Sequence, residues 1–264
     1  MTDKYAVIGN PIEHSKSPQI HAFFAKQTGQ DMSYERILAP LDKFTATVAD
    51  FHRLGGRGLN ITVPFKFEAY AVATDLSTRA KSAQAVNTLK FDDEKVLGDN
   101  TDGAGLVADI TQNLGVILAG KQVLLMGAGG AAYGVALPLQ QAGAKLTIAN
   151  RTAAKAHKLA ADIGAAASSY EALMDKQFDV VINATSSGLS DELVPLPANV
   201  FAEGALAYDM MYGRETPFMK FAREHRAQVA DGLGMLVEQA AEAFYIWRGV
   251  RPDTAPVIAQ LRSA

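Results

Sequence analysis

Short apolar runs alternate with longer amphipathic segments along the whole chain. Runs rich in branched apolar residues predict buried strands, and apolar positions at helical spacing predict helices. The pattern predicts strands at Tyr5–Ile8, Ser33–Ala39 and Gly58–Val63, separated by helices starting at Ser17 and Leu41. Ile20, Phe23 and Phe24 form the stripe of the first helix, and Leu41, Phe44, Val48 and Phe51 that of the second. Ser17 before Pro18 reads as an N-cap followed by proline at the first helical position, and Gly29 as the stop. Short helices at Phe65–Ala73 and Thr78–Ala83 follow, then a hairpin of Val86–Phe91 and Val96–Leu97 around Asp92-Asp93-Glu94. A helix from Asp102 to Leu114 leads on to strand Lys121–Met126, helix Ala131–Gln141, strand Lys145–Asn150 and helix Ala153–Ile163. Strands Phe178–Ala184 and Ala205–Met210, helix Phe218–His225, strand Gln228–Ala230 and helices Leu233–Arg248 and Asp253–Arg262 complete the pattern. Repeated β-α alternation predicts an α/β fold with mostly parallel sheets.

One turn stands out. Strand Lys121–Met126 feeds Gly127-Ala128-Gly129-Gly130-Ala131-Ala132, in which Gly127, Gly129 and Ala132 keep the G-x-G-x-x-A spacing. Gly127 suits a tight turn, and Gly129, without a Cβ, lets a pyrophosphate approach the backbone. Free N–H groups and the dipole at the helix start favour an anion. The motif alone is weak, since glycine turns also join strands and helices that bind nothing. Such a turn usually opens its domain, so a separate α/β domain of about a hundred residues is expected before it. The expected division is 1–101, joined by helices at 236–264, and a Rossmann-type domain at 102–235. The first is a mostly parallel-sheet substrate domain, and a cleft is expected between the two.

Composition narrows the classes. The 264 residues carry a net charge of −3 with no basic block, which argues against nucleic acid. With no cysteine there is no disulfide, thiolate catalysis or cysteine metal site. No signal-peptide pattern and no apolar run of membrane-spanning length appear, so a cytoplasmic protein with no membrane partner is expected. The five histidines, His14, His21, His52, His157 and His225, lack metal spacing and read as structural or surface residues. Neither a G-x-S-x-G turn nor a P-loop is present.

Candidate chemistry gathers at strand ends, where open α/β sheets bind ligands. After the second strand of a dinucleotide fold an acidic residue usually bonds the ribose 2′-hydroxyl. Here Asn150-Arg151-Thr152 and Lys155 stand instead, which suits a 2′-phosphate and favours NADP over NAD. Lys66, just past Pro64, is suited to donate a proton to a carbonyl oxygen, though a lone lysine also reads as a surface residue. Asp102 reads both as a helix cap and as a carboxylate that would orient Lys66. Ser15 and Ser17 flank a helix start and suit a carboxylate, or serve as loop residue and cap.

Together these blocks resemble the shikimate dehydrogenase (AroE-type) family over nearly the whole chain. They are I-G-N-P-I-E-H-S-K-S-P at the start, N-I-T-V-P-F-K at Asn60–Lys66, A-V-N-T at Ala85–Thr88 and D-N-T-D-G at Asp99–Gly103. G-A-G-G-A at Gly127–Ala131, N-R-T at Asn150–Thr152, N-A-T-S-S-G at Asn183–Gly188, D-M-M-Y at Asp209–Tyr212 and D-G-L-G-M-L-V-E-Q-A at Asp231–Ala240 follow in order. The resemblance implies NADPH-linked reduction of 3-dehydroshikimate to shikimate, in aromatic amino-acid biosynthesis. It implies that Ser15 and Ser17 hold the substrate carboxylate near Tyr212, and that Asn60, Thr62, Asn87, Asp102 and Gln239 bond the ring hydroxyls. Lys66 and Asp102 become the catalytic pair. Gly127, Ala128, Gly129, Gly130 and Ala131 cradle the pyrophosphate, and Asn150, Arg151, Thr152 and Lys155 take the 2′-phosphate. Thr185, Met210 and Gly232 complete the cofactor side. Lys155 departs from the arginine common in the family, and Tyr133 from the arginine that often follows the turn. A broader quinate/shikimate dehydrogenase and a catalytically silent sensor of shikimate-like ligands are the competing readings. The sequence leaves a homodimer open.

Overall fold

The computed structural model describes residues 2–92, 95–185 and 195–263. Ser186–Gly188 of the N-A-T-S-S-G block, and Asp93 and Glu94 of the expected hairpin turn, lie outside the described residues. The chain divides into two compact units, Met1–Gly105 with Val237–Ala264, and Leu106–Leu236.

The first unit holds strands β1 (Asp3–Gly9), β2 (Met32–Leu38), β3 (Gly56–Ile61), β4 (Asp75–Leu76), β5 (Thr88–Asp92) and β6 (Lys95–Asp99) in the order β2-β1-β3-β5-β6-β4. β2, β1 and β3 run parallel, whereas β5 lies antiparallel to both β3 and β6. Helices α1 (Ser17–Thr28) and α2 (Phe44–Arg53) make the first crossovers, and α3 (Lys66–Val72) and α4 (Thr78–Ala83) follow β3 and β4. Because β2 and β3 flank β1 on opposite sides, the chain reverses its winding between β1 and β3. Loops leaving adjacent strands diverge at such a switch point and open a crevice at the carboxyl ends. Thr62 N–H donates to Ile8 O at 3.0 Å and Asn10 N–H to Val63 O at 3.0 Å, which fixes the two strand ends side by side.

The second unit is a fully parallel sheet of β7 (Gln122–Met126), β8 (Lys145–Ala149), β9 (Ala166–Ser168), β10 (Phe178–Asn183), β11 (Phe201–Asp209) and β12 (Gln228–Ala230). Its order, β12-β11-β10-β7-β8-β9, is the doubly wound dinucleotide-binding order, with the switch between β7 and β10. Leu124 and Leu125 show why β7 reads as an unbroken apolar run. Leu125 packs with Ile148, Ile182 and Leu106 on one face, and Leu124 with Val181, Phe178 and Leu173 on the other. Alternate side chains of a strand leave opposite faces, so a strand covered on both faces must be apolar throughout. Helices α6 (Gly130–Gln141), α7 (Ala153–Ile163) and α8 (Pro217–Glu224) complete this unit. Helices α5 (Asp102–Ala108), α9 (Leu233–Arg248) and α10 (Ala255–Arg262) are the other α-helices among the described residues.

Four expectations change. Leu41 is 67% exposed and precedes α2, because Pro40 O accepts from Lys43 N–H at 3.0 Å in a turn that delays the helix. Ser17 is not an N-cap but the first residue of α1, and its own N–H is taken by Ser15 Oγ at 3.3 Å. The helix expected to reach Leu114 is α only to Ala108 and continues as a π turn, Asp109–Asn113. There Asp109 accepts from Asn113 Nδ2 at 2.9 Å and from Tyr208 Oη at 2.6 Å. Finally, Ala166–Ser168 and Asp75–Leu76 pair as strands although neither carries a branched apolar run other than Leu76. No described helix is long and apolar enough to cross a membrane.

Candidate active site

The crevice of the first unit collects its polar residues from three loops. β3 ends at Ile61, and the turn through Pro64 delivers Lys66 as the first residue of α3. Asp102 is the first residue of α5, three residues beyond the end of β6. Lys66 Nζ donates to Asp102 Oδ2 at 2.5 Å, with the two side chains 22% and 10% exposed. The other carboxylate oxygen accepts from Asn87 Nδ2 at 2.8 Å. Asp102 does not cap α5 with its side chain. Asn100 Oδ1 takes the Asp102 N–H at 3.2 Å, and the carboxylate faces Lys66 and Asn87.

Asn87 is a hub. Its Oδ1 accepts from Thr101 N–H at 2.8 Å and from Thr88 Oγ1 at 2.9 Å. Its Nδ2 lies 3.0 Å from Thr101 Oγ1 and 3.5 Å from Gln239 Oε1 of α9. Gly105 lets α5 and α9 approach there, since a Cβ would stand 2.6 Å from Gln239 N. Asn60 is held just as firmly. Tyr34 Oη donates to its Oδ1 at 2.7 Å, and its Nδ2 donates to Thr88 Oγ1 at 3.2 Å and to Asn87 O at 3.4 Å. The Nε2–H of His21 donates to the same Oδ1 at 3.2 Å. His21 is fully buried and stacked on Tyr34 with centroids 4.2 Å apart. Burial lowers its pKa to about 3 despite the Asn60 bond, so the ring is neutral at pH 7. The Ser17 side chain bonds the Tyr34 hydroxyl, and Ser15 Oγ lies 3.2 Å from Ser17 Oγ. Arg36 fixes Ser15 through its carbonyl, at 2.5 Å from Nη2. Thr62 is half-buried beside Gly9. Thus Ser15, Ser17, Asn60, Thr62, Lys66, Asn87, Asp102 and Gln239 belong to one unit. The structure links all of them except Thr62 through bonded partners, in chains that run through Tyr34 and Thr88. Tyr34 carries no motif that distinguishes it in the sequence, because its role comes from which side chains the sheet brings opposite it, whereas Thr101 lies within the D-N-T-D-G block.

The second unit presents the glycine turn at the end of β7. Gly127 has φ +111°, and a Cβ there would stand 2.9 Å from Ala184 O at the end of β10. Only glycine satisfies both conditions. Gly129 is exposed, and a Cβ on it would meet nothing within 4 Å. It precedes α6 with no side-chain cap, so the first N–H groups of that helix remain for a ligand. Ala128, Gly130 and Ala131 are half-buried around it. Next along the sheet, β8 ends before Asn150, whose Nδ2 donates to Thr152 O at 3.0 Å and shapes the turn. Arg151, Thr152 and Lys155 are exposed at the start of α7, whose Thr152 provides no side-chain cap either. A pyrophosphate at Gly127–Ala131 and a 2′-phosphate at Asn150–Lys155 fit this donor set: open backbone N–H groups, then two cations and no carboxylate. Thr185 is fixed by Asn183 Oδ1, which accepts from its Oγ1 at 2.7 Å. Gly232 packs against the Met210 carbonyl so closely that a Cβ would collide with it. Tyr212 is half-buried, and burial raises its pKa.

Family models match in three stretches: a shikimate dehydrogenase substrate binding domain at residues 7–89, a shikimate / quinate 5-dehydrogenase at 109–190, and a shikimate 5'-dehydrogenase C-terminal domain at 232–262. The shikimate dehydrogenase (NADP(+)) of Methylobacillus flagellatus is 64% identical, over 99% of this chain and 100% of its own. That of Herminiimonas arsenicoxydans is 61% identical, over 100% and 98%. Among solved structures, an Ael1 enzyme from Pseudomonas putida superposes with a TM-score of 0.96 at 52% identity, covering 98% of each chain. Shikimate 5-dehydrogenase from Thermus thermophilus, in complex with NADP(H) and shikimate, gives 0.90 at 34% identity over 99% of each. The chain belongs to the shikimate dehydrogenase family.

Proposed function

We propose that the protein is an NADP-dependent shikimate dehydrogenase, an oxidoreductase that interconverts 3-dehydroshikimate and shikimate. The observation that carries the reading is the Lys66–Asp102 pair, 2.5 Å apart and set among the amides of Asn60, Asn87 and Gln239. Gly127–Ala131 together with Asn150, Arg151, Thr152 and Lys155 would hold NADPH, which would supply the hydride for the ketone carbon. Lys66 gives its proton to the ketone oxygen as that oxygen gains negative charge, and recovers a proton from water afterwards. In the oxidative direction the same ammonium nitrogen, deprotonated, accepts the hydroxyl proton. Asp102 keeps Lys66 aimed and accepts from a ring hydroxyl.

The ring's polar groups find matched partners. Ser15 and Ser17 take the carboxylate, and Asn60, Thr62, Asn87 and Gln239 face the hydroxyls. A site built to bond hydroxyls discriminates strongly against analogues that lack them, because its own polar groups are then left unpaired. Thr185, Met210 and Gly232 line the cofactor side, and Tyr212 adds a hydroxyl near the substrate. NADP is favoured because a 2′-phosphate meets Arg151 and Lys155 and no carboxylate. The same reading assigns the protein to the cytoplasm. The open question of a homodimer is settled by light scattering of the purified chain.

The test is an absorbance assay. NADPH is expected to be consumed on adding 3-dehydroshikimate, with NADH a much poorer donor. No consumption overturns the reading and leaves the silent sensor, which ligand binding without turnover would identify. Equal turnover of quinate and shikimate in the oxidative direction would favour the broader quinate/shikimate enzyme.

A further inference from the structure

Building on the proposed function, we infer that Arg79 is a positioning residue for the reaction. Its one guanidinium sets the spacing between the strand end that leads to Asp102 and the helix that carries Gln239. Arg79 sits on α4 and belongs to none of the sequence blocks that mark the site. Its Nε donates to Asp99 Oδ1 at 3.0 Å and its Nη2 to Asp99 Oδ2 at 2.7 Å, a two-pronged contact. Its Nη1 donates to Glu242 Oε1 at 2.9 Å. Asp99 ends β6, and Glu242 lies on α9.

Each carboxylate leads directly into the site. Asp99 Oδ1 also accepts from Ser77 Oγ at 2.5 Å and from Asn100 N–H at 2.7 Å. Asn100, fully buried, donates to Ala85 O at 3.1 Å and accepts the Asp102 N–H, which orients the start of α5. On the other side, Gln239 precedes Glu242 by one helical turn, so both project from the same face of α9. Fixing Glu242 therefore fixes where the Gln239 amide meets Asn87 and Thr101. A planar guanidinium reaches both carboxylates at once. A lysine ammonium keeps the charge but cannot hold a fork and a third contact in this geometry.

The test compares Arg79→Lys with Arg248→Lys. Arg248 lies on the same helix as Glu242 and pairs with Asp3 and Tyr5, away from the crevice, so it controls for loss of an ion pair as such. Arg79→Lys is expected to lower kcat/KM for shikimate by at least about tenfold, since small misplacements of positioning groups cost that much or more. The NADP dissociation constant, read by fluorescence, should stay within about twofold in both variants, and Arg248→Lys should keep near-normal turnover. Equal kcat/KM in the two variants overturns the inference. Should Arg79→Lys fail to fold, Glu242→Gln cuts only the helix arm. It is expected to raise the shikimate KM severalfold while kcat falls less, with Arg251→Gln, which removes the other partner of Glu242, unchanged. An unchanged KM in Glu242→Gln overturns the inference as well. A wild-type protein inactive on both shikimate and 3-dehydroshikimate would instead overturn the function on which it rests.

Discussion

Lys66 Nζ and Asp102 Oδ2 lie 2.5 Å apart, although 36 positions separate them in the chain. The contact joins the start of α3 to the start of α5, and Asn87 grips the remaining carboxylate oxygen. Removing the ammonium removes the proton donor without touching the glycine turn. Lys66→Ala is expected to lower kcat by at least about a hundredfold, the scale of general acid catalysis, with NADP affinity unchanged. Steady-state kinetics with a fluorescence titration of NADP checks this, and near-normal turnover would remove Lys66 from proton transfer.

Arg151 faces solvent at the start of α7. An arginine–phosphate contact there is charge-assisted and discriminates only when the 2′-phosphate is present. Arg151→Ala should weaken NADP by roughly tenfold or more and NAD hardly at all. Parallel titrations of the two cofactors decide it: equal losses rule out recognition of the 2′-phosphate.

Gly127 holds φ +111° with Ala184 O beside it. A side chain meets both backbone strain and a steric clash, so Gly127→Ala should cost roughly 1–3 kcal/mol of stability. It should also weaken both nicotinamide cofactors together. Thermal unfolding and cofactor titration test the pair of effects, and a variant as stable as wild type with normal NADP affinity would contradict the close approach.

His21 is neutral in the folded protein, its pKa lowered to about 3 by burial from a usual 6.5. The unfolded chain therefore binds the extra proton between those values. Stability is full above pH 6.5 and falls as pH drops toward 3, by up to about 1.4 kcal/mol per pH unit from this group. His21→Phe keeps a ring against Tyr34 and Trp247 but loses the Asn60 bond. It should be less stable at about pH 7.5 yet show a shallower decline to about pH 4.5 in thermal melts. Parallel declines would mean that other groups set the acid limit.

Motifs and alternation carried most of the fold because each is local. The run Val123–Met126 reads as a doubly covered strand, and Gly127-Ala128-Gly129 as the turn that follows it, without any long-range information. The paired acid and base at Lys66 and Asp102 were readable as candidates, but their contact depends on β3, β5 and β6 lying side by side. Asp102 shows the limit well. It reads as a cap, yet it is the first residue of α5 and its carboxylate bonds Lys66 and Asn87. Tyr34 and Arg79 have no signature, since a tyrosine on a strand or an arginine on a short helix is ordinary until its partners are known. Leu41 misled the periodicity for a similar reason: its spacing fits α2, yet the turn at Pro40 keeps it in solvent.

The first unit is assembled from two separate stretches of chain, and this has a consequence for how the protein is made. Trp247 donates its indole N–H to Leu89 O at 2.9 Å, and Phe244 packs edge-on against Phe24. Those partners leave the ribosome more than 150 residues before the helix that completes them. The contiguous unit Leu106–Leu236 emerges whole in the meantime. Synthesis from the amino end thus finishes the contiguous unit first, while the other unit waits with its aromatic core open until α9 arrives.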